Sequence, residues 1–182
     1  DSLLPYLCFT ADVANSTIEL KKTNSPTGVT IQYQVNGTAA DGWTSVDFST
    51  ATTIGPISLA NVGDKVYFRN ASSEVTGFST GTSNRYQFAM TGSIAASGNV
   101  MSLVDKSCQT LTIPCNYCFT KLFQGCTSLT TAPELPATTL TNNCYSNMFS
   151  RCSSLATAPA LPATTLAANC YNGMFAYCTS LA

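Results

Sequence analysis

Ala132-Pro-Glu-Leu-Pro-Ala-Thr-Thr-Leu140 opens a segment, running on through Cys144-Tyr145-Ser-Asn-Met148-Phe149-Ser-Arg-Cys152-Ser-Ser-Leu155-Ala156, that returns as residues 158–182 at a shift of 26. Seventeen of the twenty-five aligned positions are identical, and the shared frame is A-P-x-L-P-A-T-T-L-x-x-N-C-Y-x-x-M-F-x-x-C-x-S-L-A. A period in this range marks a solenoid, whose units are too small to own a core and bury their apolar faces against one another. Cys144, Met148 and Cys152 stand at i, i+4 and i+8, with Tyr145 and Phe149 one position on. That stripe predicts a helix of one or two turns, with Asn142 and Asn143 as caps. The Ser-Leu-Ala-Thr-Ala-Pro run that follows predicts a brief strand stopped by proline. Each unit is then a strand, a Pro-containing bend and a short helix, stacked to give a parallel sheet on one side and helices on the other.

Working outward, Leu122-Phe123-x-x-Cys126-Thr-Ser-Leu129 lies 26 residues before Met148-Phe149-x-x-Cys152-Ser-Ser-Leu155, so a less regular first unit is in phase. The units fall at about 106–131, 132–157 and 158–182. The Gly-, Ala- and Ser-rich stretch 92–104 reads as a join between two domains, 1–99 and 100–182. The first hundred residues carry period-2 alternation with turn residues between. Candidate strands are Tyr6–Thr10, Thr17–Lys22, Val29–Val35, Trp43–Phe48, Pro56–Leu59, Lys65–Asn70, Tyr86–Met90 and Ser93–Ala96. Asn36-Gly37 and Asp41-Gly42 suggest a hairpin with a long tip. Eight short strands at this spacing predict an antiparallel β-sandwich, immunoglobulin-like in architecture only, since no Cys…Trp…Cys framework is present. The expected fold class is therefore mainly β with short helices, a sandwich followed by a leucine-rich-repeat solenoid.

The recurring F-x-x-C-x-x-L of Phe123/Cys126/Leu129, Phe149/Cys152/Leu155 and Phe175/Cys178/Leu181 resembles the BspA-like leucine-rich repeats of bacterial surface proteins. Leu111-Thr112-Ile113-Pro114 looks like the strand-and-proline start of such a repeat, and the L-P-A-T-T-L variant is similar to arrays on surface proteins of gut anaerobes. The resemblance covers roughly 100–182. It implies adhesion, binding to a host or matrix protein, and co-aggregation.

Composition points the same way. Charged residues are only 9 % against 45 % hydrophobic, so Thr, Ser and Asn must supply the polar surface, as is common outside cells. A net charge of −1 with eight Lys and Arg offers no footprint for nucleic acid. No apolar run approaches the roughly 20 residues of a membrane span. The chain opens at Asp1 rather than Met, consistent with a signal or lipid anchor already removed. Histidine is absent, which removes the commonest general base and metal ligand and every Ser-His or Cys-His nucleophile. No catalytic residue, metal or cofactor is expected, and the chain is read as non-enzymatic.

The nine cysteines are Cys8, Cys108, Cys115, Cys118, Cys126, Cys144, Cys152, Cys170 and Cys178. Cys115-x-x-Cys118 has ligand spacing, but it has no second pair and no thioredoxin-like surroundings. Cys144 and Cys152, about 12 Å apart along a helix, are too far to bridge. Cys108 with Cys115 or Cys118 would be the pair to bridge if any does. The rest read as small buried thiols in a repeat core made of Cys118, Phe123, Cys126, Leu129, Cys144, Met148, Phe149, Cys152, Leu155, Cys170, Met174, Phe175, Cys178 and Leu181. Trp43 and Tyr33 are candidates for a glycan contact, although a lone Trp in a small β domain more often belongs to the core. Asp41, Asp47, Asp64 and Asp105 are scattered and form no calcium loop, and Glu134 becomes Ala160 in the next unit, so no carboxylate pair recurs. Asn15, Asn36 and Asn70 open N-x-[ST] triplets, relevant only to a eukaryotic secretory route.

The final unit carries no charged substitution, so Tyr177, Thr179 and Leu181 form an expected assembly edge. Either the array continues or another subunit covers it, and repeated head-to-tail contact would build a filament. Two roles are expected: a surface protein binding a host or matrix protein or glycan, or a structural subunit of an extracellular filament or phage particle whose partner is a copy of itself.

Overall fold

The alternation read in the first hundred residues becomes strands. A computed structural model describes residues 5–37, 42–73 and 75–182. Eight strands fall within a few residues of the expected positions: β1 (Leu7–Ala11), β2 (Ser16–Thr23), β3 (Thr30–Val35), β4 (Thr44–Asp47), β5 (Thr53–Leu59), β6 (Lys65–Asn70), β7 (Arg85–Thr91) and β8 (Ile94–Ser97). A ninth, β9 (Leu129–Thr131), comes from the first repeat. One sheet has the order β4-β3-β6-β1-β8-β9 and the other β5-β2-β7. All pairs are antiparallel except β8 with β9. Asn36 and Gly42 adopt positive φ at the two ends of the β3–β4 connection; Asp41, like Asp1, lies outside the described residues.

Alternation places Ile18 and Leu20 of β2 inside with Phe9 of β1 and Phe68 of β6. Phe88 of β7 meets Phe9 at 4.9 Å and Phe68 at 5.2 Å between ring centroids, which packs the two sheets face to face. Such edge and tilted contacts add about 1 kcal/mol each beyond the area they bury. Tyr86 closes one end by donating its hydroxyl to the Thr27 carbonyl at 2.6 Å. Burial drives its hydroxyl pKa up to about 12. The core continues without a break from these side chains into Phe119, Phe123, Met148 and Phe149.

The mainly β expectation therefore stands, but the helix-containing leucine-rich-repeat solenoid does not form. Among the described residues there is no α-helix, only a 3-10 turn at Val100–Leu103. The reason lies in the backbone of the repeats. In 143–152 the N–H groups of Cys144, Ser146, Met148, Ser150 and Cys152 each donate three residues back, at 3.0–3.4 Å, and none donates four back. Asn143, Asn147 and Arg151 have φ of 59°, 53° and 65°, so every fourth residue turns left-handed. Tyr117, Lys121 and Gly125 repeat this in the first unit, and Asn169, Gly173 and Tyr177 in the last. A left-handed residue breaks an α-helix, and Asn and Gly tolerate that conformation best. A four-residue turn still places i, i+4 and i+8 on one side, which is why Cys144, Met148 and Cys152 imitate a helical stripe. The expected strand at 154–159 is also absent; only its counterpart β9 pairs.

The join is a tight seam. Gly98 has φ +73°, and a Cβ there would stand 2.0 Å from the Tyr6 carbonyl oxygen. Its own carbonyl accepts from the Glu134 N–H at 2.8 Å, while the Asn99 N–H donates to the Pro5 carbonyl. The Asn99 side chain accepts from the Met101 N–H and so starts the 3-10 turn. Ser102, fully buried, accepts from the Leu7 N–H and donates to the Phe68 carbonyl, bridging β1 and β6. Gly98→Ala is expected to cost about 3 kcal/mol or more in denaturant unfolding, because both the left-handed φ and the backbone contact oppose it. A loss under 1 kcal/mol would show that the seam yields.

Candidate functional site

Alternate N–H groups in each four-residue turn point away from the turn itself and along the stack. Those of Tyr117, Phe119, Lys121, Phe123 and Gly125 donate to the carbonyls of Asn142, Cys144, Ser146, Met148 and Ser150 at 2.8–3.0 Å. Those of Asn143, Tyr145, Asn147, Phe149 and Arg151 donate to Ala168, Cys170, Asn172, Met174 and Ala176 at 2.7–3.0 Å. Side chains follow the same translation. Phe88, Phe123, Phe149 and Phe175 form one column of near-parallel rings 5.3–5.8 Å apart. Phe119, Tyr145 and Tyr171 form a second, with centroids 6.0–6.1 Å apart.

The cysteines sit inside this stack. Thiols of Cys126, Cys152 and Cys178 donate to the carbonyls of Phe88, Phe123 and Phe149 at 3.0–3.2 Å, each reaching back to the preceding layer. Cys118, Cys144 and Cys170 are buried beside the second column. All nine cysteines are free thiols, including Cys108, Cys115 and Cys118. Burial pushes Cys144 and Cys108 up to about 11 and Cys152 up to about 12, so these thiols stay protonated and unreactive. Half-buried Cys115 moves the other way: its hydrogen bond with the Cys118 thiol outweighs desolvation and lowers its pKa.

Layers of one frame do not share one environment. Leu135 is 3 % exposed, whereas its counterpart Leu161 is 37 % exposed. Ala137, Tyr145, Phe149 and Cys152 are buried; Ala163, Tyr171, Phe175 and Cys178 are only partly so. Tyr177 is 70 % exposed, with the Arg151 guanidinium 4.9 Å from its ring centroid on the inner side. Thr179 is exposed, and Leu181 packs partly against the core. The N–H groups of Asn169, Tyr171, Gly173, Phe175 and Tyr177 have no acceptor among the described residues. The face of 158–182 thus carries five main-chain donors, the three aromatic rings of Tyr171, Phe175 and Tyr177, and the exposed Leu161 and Leu166. Leu129, Leu155, Met148 and Met174 lie beneath it in the core.

Trp43 and Tyr33 are not brought together. Tyr33 pairs with Phe68 across β3–β6 and packs toward the inter-sheet core. Trp43 lies with Arg69, whose guanidinium is 3.9 Å from its ring centroid and 5.3 Å from that of Tyr6. Arg69 is 9 % exposed and also donates to Gln32 and to the Tyr6 hydroxyl. Asp47, Asp64 and Asp105 each accept from main-chain N–H groups of their own turns. Asn70 is buried and donates to the Leu103 carbonyl, so its triplet is not open to a glycan. Among the described residues no three His, Cys, Asp or Glu side chains converge as metal ligands, and no helix is long and apolar enough to cross a membrane.

The donor row and the role of Arg151 escaped the sequence reading. The four-residue spacing of Asn143, Asn147, Asn169 and Gly173, residues that favour left-handed φ, was the available signal. No protein-family model, curated protein or solved structure is similar to this chain.

Two outcomes follow from these side chains. Native-state alkylation is expected to label Cys115 ahead of the other eight cysteines, with a pH midpoint below the ordinary thiol value of 9.0; uniform labelling would contradict the packing. Tyr145 is buried with its hydroxyl unpaired, and the first layer carries Phe119 at the same position. Tyr145→Phe is expected to raise unfolding stability by about 1 kcal/mol by removing that hydroxyl, and a loss would reveal a missing partner.

Proposed function

We propose that this is a non-enzymatic extracellular surface protein that binds another protein through its β-sandwich and repeat surfaces, with the exposed residues of 158–182 as part of that surface. The observation that carries the reading is the difference between layers of one frame. The same Leu and aromatic positions that are buried at 132–156 are exposed at Leu161 and only partly covered at Tyr171 and Phe175. Fully burying a Leu side chain contributes about 2 kcal/mol, so the exposed part of Leu161 and the open sides of Tyr171 and Phe175 would add a fraction of that each to binding. Protein is favoured over glycan as the ligand because Trp43, the candidate sugar platform, is half-buried under Arg69. The low charge and hydroxyl-rich surface suit an extracellular place, and the resemblance to BspA-like surface repeats supports adhesion as the role. The second role, a structural subunit of a filament or particle, would use the same face.

Binding of the full chain to immobilised matrix proteins and to a glycan array tests this. Binding to a protein is expected, weakened at least tenfold by Leu161→Lys with an unchanged thermal midpoint. Binding confined to glycans and lost in Trp43→Ala, or no binding to any protein, would contradict it.

A further inference from the structure

The first layer holds two thiols in one turn, and the later layers hold one. Cys115 and Cys118 are three residues apart; at the shift of 26 their positions become Thr141 and Cys144, then Ala167 and Cys170. The turn itself is common to the layers. Tyr117, Asn143 and Asn169 are left-handed just before the inner cysteine, and the Cys144 N–H closes the second-layer turn on the Thr141 carbonyl at 3.4 Å. A turn of this kind brings its first and fourth Cα atoms within about 7 Å, and a disulfide spans about 4.4–6.8 Å between Cα atoms. In the first layer the Cys118 thiol accordingly hydrogen-bonds to that of Cys115. Cys118 is fully buried, whereas Cys115 is half-buried at the edge of the sandwich. The Cys115 S–H donates to the Ser79 carbonyl at 3.5 Å, the Phe78 N–H approaches its sulfur, and its carbonyl accepts from the Thr141 hydroxyl at 2.6 Å. Two donors, the Cys118 S–H first and then the Phe78 N–H, stabilise a thiolate at Cys115. Cys108, the other cysteine near the start of the repeats, lies with Asp105 and Arg69 instead.

We infer that Cys115 and Cys118 form a dithiol site that exchanges with small-molecule disulfides and ends as an internal disulfide. The Cys115 thiolate attacks one sulfur of a disulfide R–S–S–R. That S–S bond breaks, and one R–S⁻ leaves and takes up the proton that Cys115 released, so Cys115 carries a mixed disulfide. The Cys118 thiol then loses its proton and attacks the Cys115 sulfur, expelling the second R–S⁻, which takes up that proton. Two protein thiols are oxidised to one disulfide, and the small disulfide is reduced to two thiols. The order follows from burial, because solvent reaches Cys115 and not Cys118. Burial, the hydrogen bond to Cys115 and the Cys115 charge all hold the Cys118 thiol protonated. The last two vanish once Cys115 is a mixed disulfide, which frees Cys118 to act second. The second and third layers lack the outer thiol, so Cys144 and Cys170 are spared. Closure also removes the S–H donated to Ser79, a bond between the segment preceding β7 and the first layer.

Incubation of the folded full chain with oxidised glutathione, then alkylation and peptide mapping by mass spectrometry, tests this. The expected course is a glutathione adduct at Cys115, followed by a Cys115–Cys118 disulfide while the other seven of the nine cysteines remain thiols. Cys118→Ala is expected to keep the adduct and to lengthen its lifetime at least about tenfold, since the resolving thiol is gone. Cys115→Ala is expected to abolish adduct and disulfide alike. A first adduct at any other cysteine, a disulfide joining other residues, an adduct at Cys115 that never resolves in the unsubstituted chain, or no reaction at all would overturn the inference. Should Cys118→Ala fail to fold, the order of adduct and disulfide in the unsubstituted chain decides the matter alone.

Discussion

Within 117–125, 143–151 and 169–177 every fourth residue is left-handed, and the rest of the C-terminal structure depends on that constraint. The reversal at Asn143, Asn147 and Arg151 keeps alternate N–H groups out of helical bonds and turns them toward the next layer. Rings and thiols are then carried along by the same translation, so Phe stacks on Phe and each Cys reaches the Phe carbonyl of the layer before. Non-glycine residues in this conformation cost energy, as at Arg151 and Tyr177. Stacking and inter-layer hydrogen bonds offset that cost, which ties each layer to its neighbour.

The stack does not begin on its own. Phe88 of β7 supplies the first ring of one column, and the Phe88 N–H and Gln87 amide satisfy first-layer carbonyls. The parallel pairing of β8 with β9 and the close approach of Gly98 to Tyr6 hold the two parts of the chain in one continuous core. The same stacking direction leaves the N–H groups of Asn169, Tyr171, Gly173, Phe175 and Tyr177 without an acceptor among the described residues. Fold and candidate site are consequences of one polarity.

Much of this was legible in the residues. Period-2 alternation placed eight strands to within a few residues, since one buried face per strand leaves a clear mark, as at Ile18 and Leu20. The 26-residue frame located the layers and their buried thiols. The helix was misread because spacing by four resembles 3.6 over only three positions, and Cys144, Met148 and Cys152 fit both. Attention to Asn143 and Asn147 as residues tolerant of positive φ would have separated them. The donor row leaves its trace only in those Asn and Gly positions, whose left-handed φ turns alternate N–H groups toward the next layer. Trp43 was ambiguous for a different reason: its partner Arg69 is 26 residues away and joined to it only by sheet register.

Couplings measured across hydrogen bonds by NMR, between amide nitrogens and carbonyl carbons, reach the central claim most directly. Coupling from the Tyr145 nitrogen to the Cys170 carbonyl and from the Met148 nitrogen to the Tyr145 carbonyl is the predicted pattern. Coupling from Met148 to Cys144, four residues back, would mean a helix and would contradict the account.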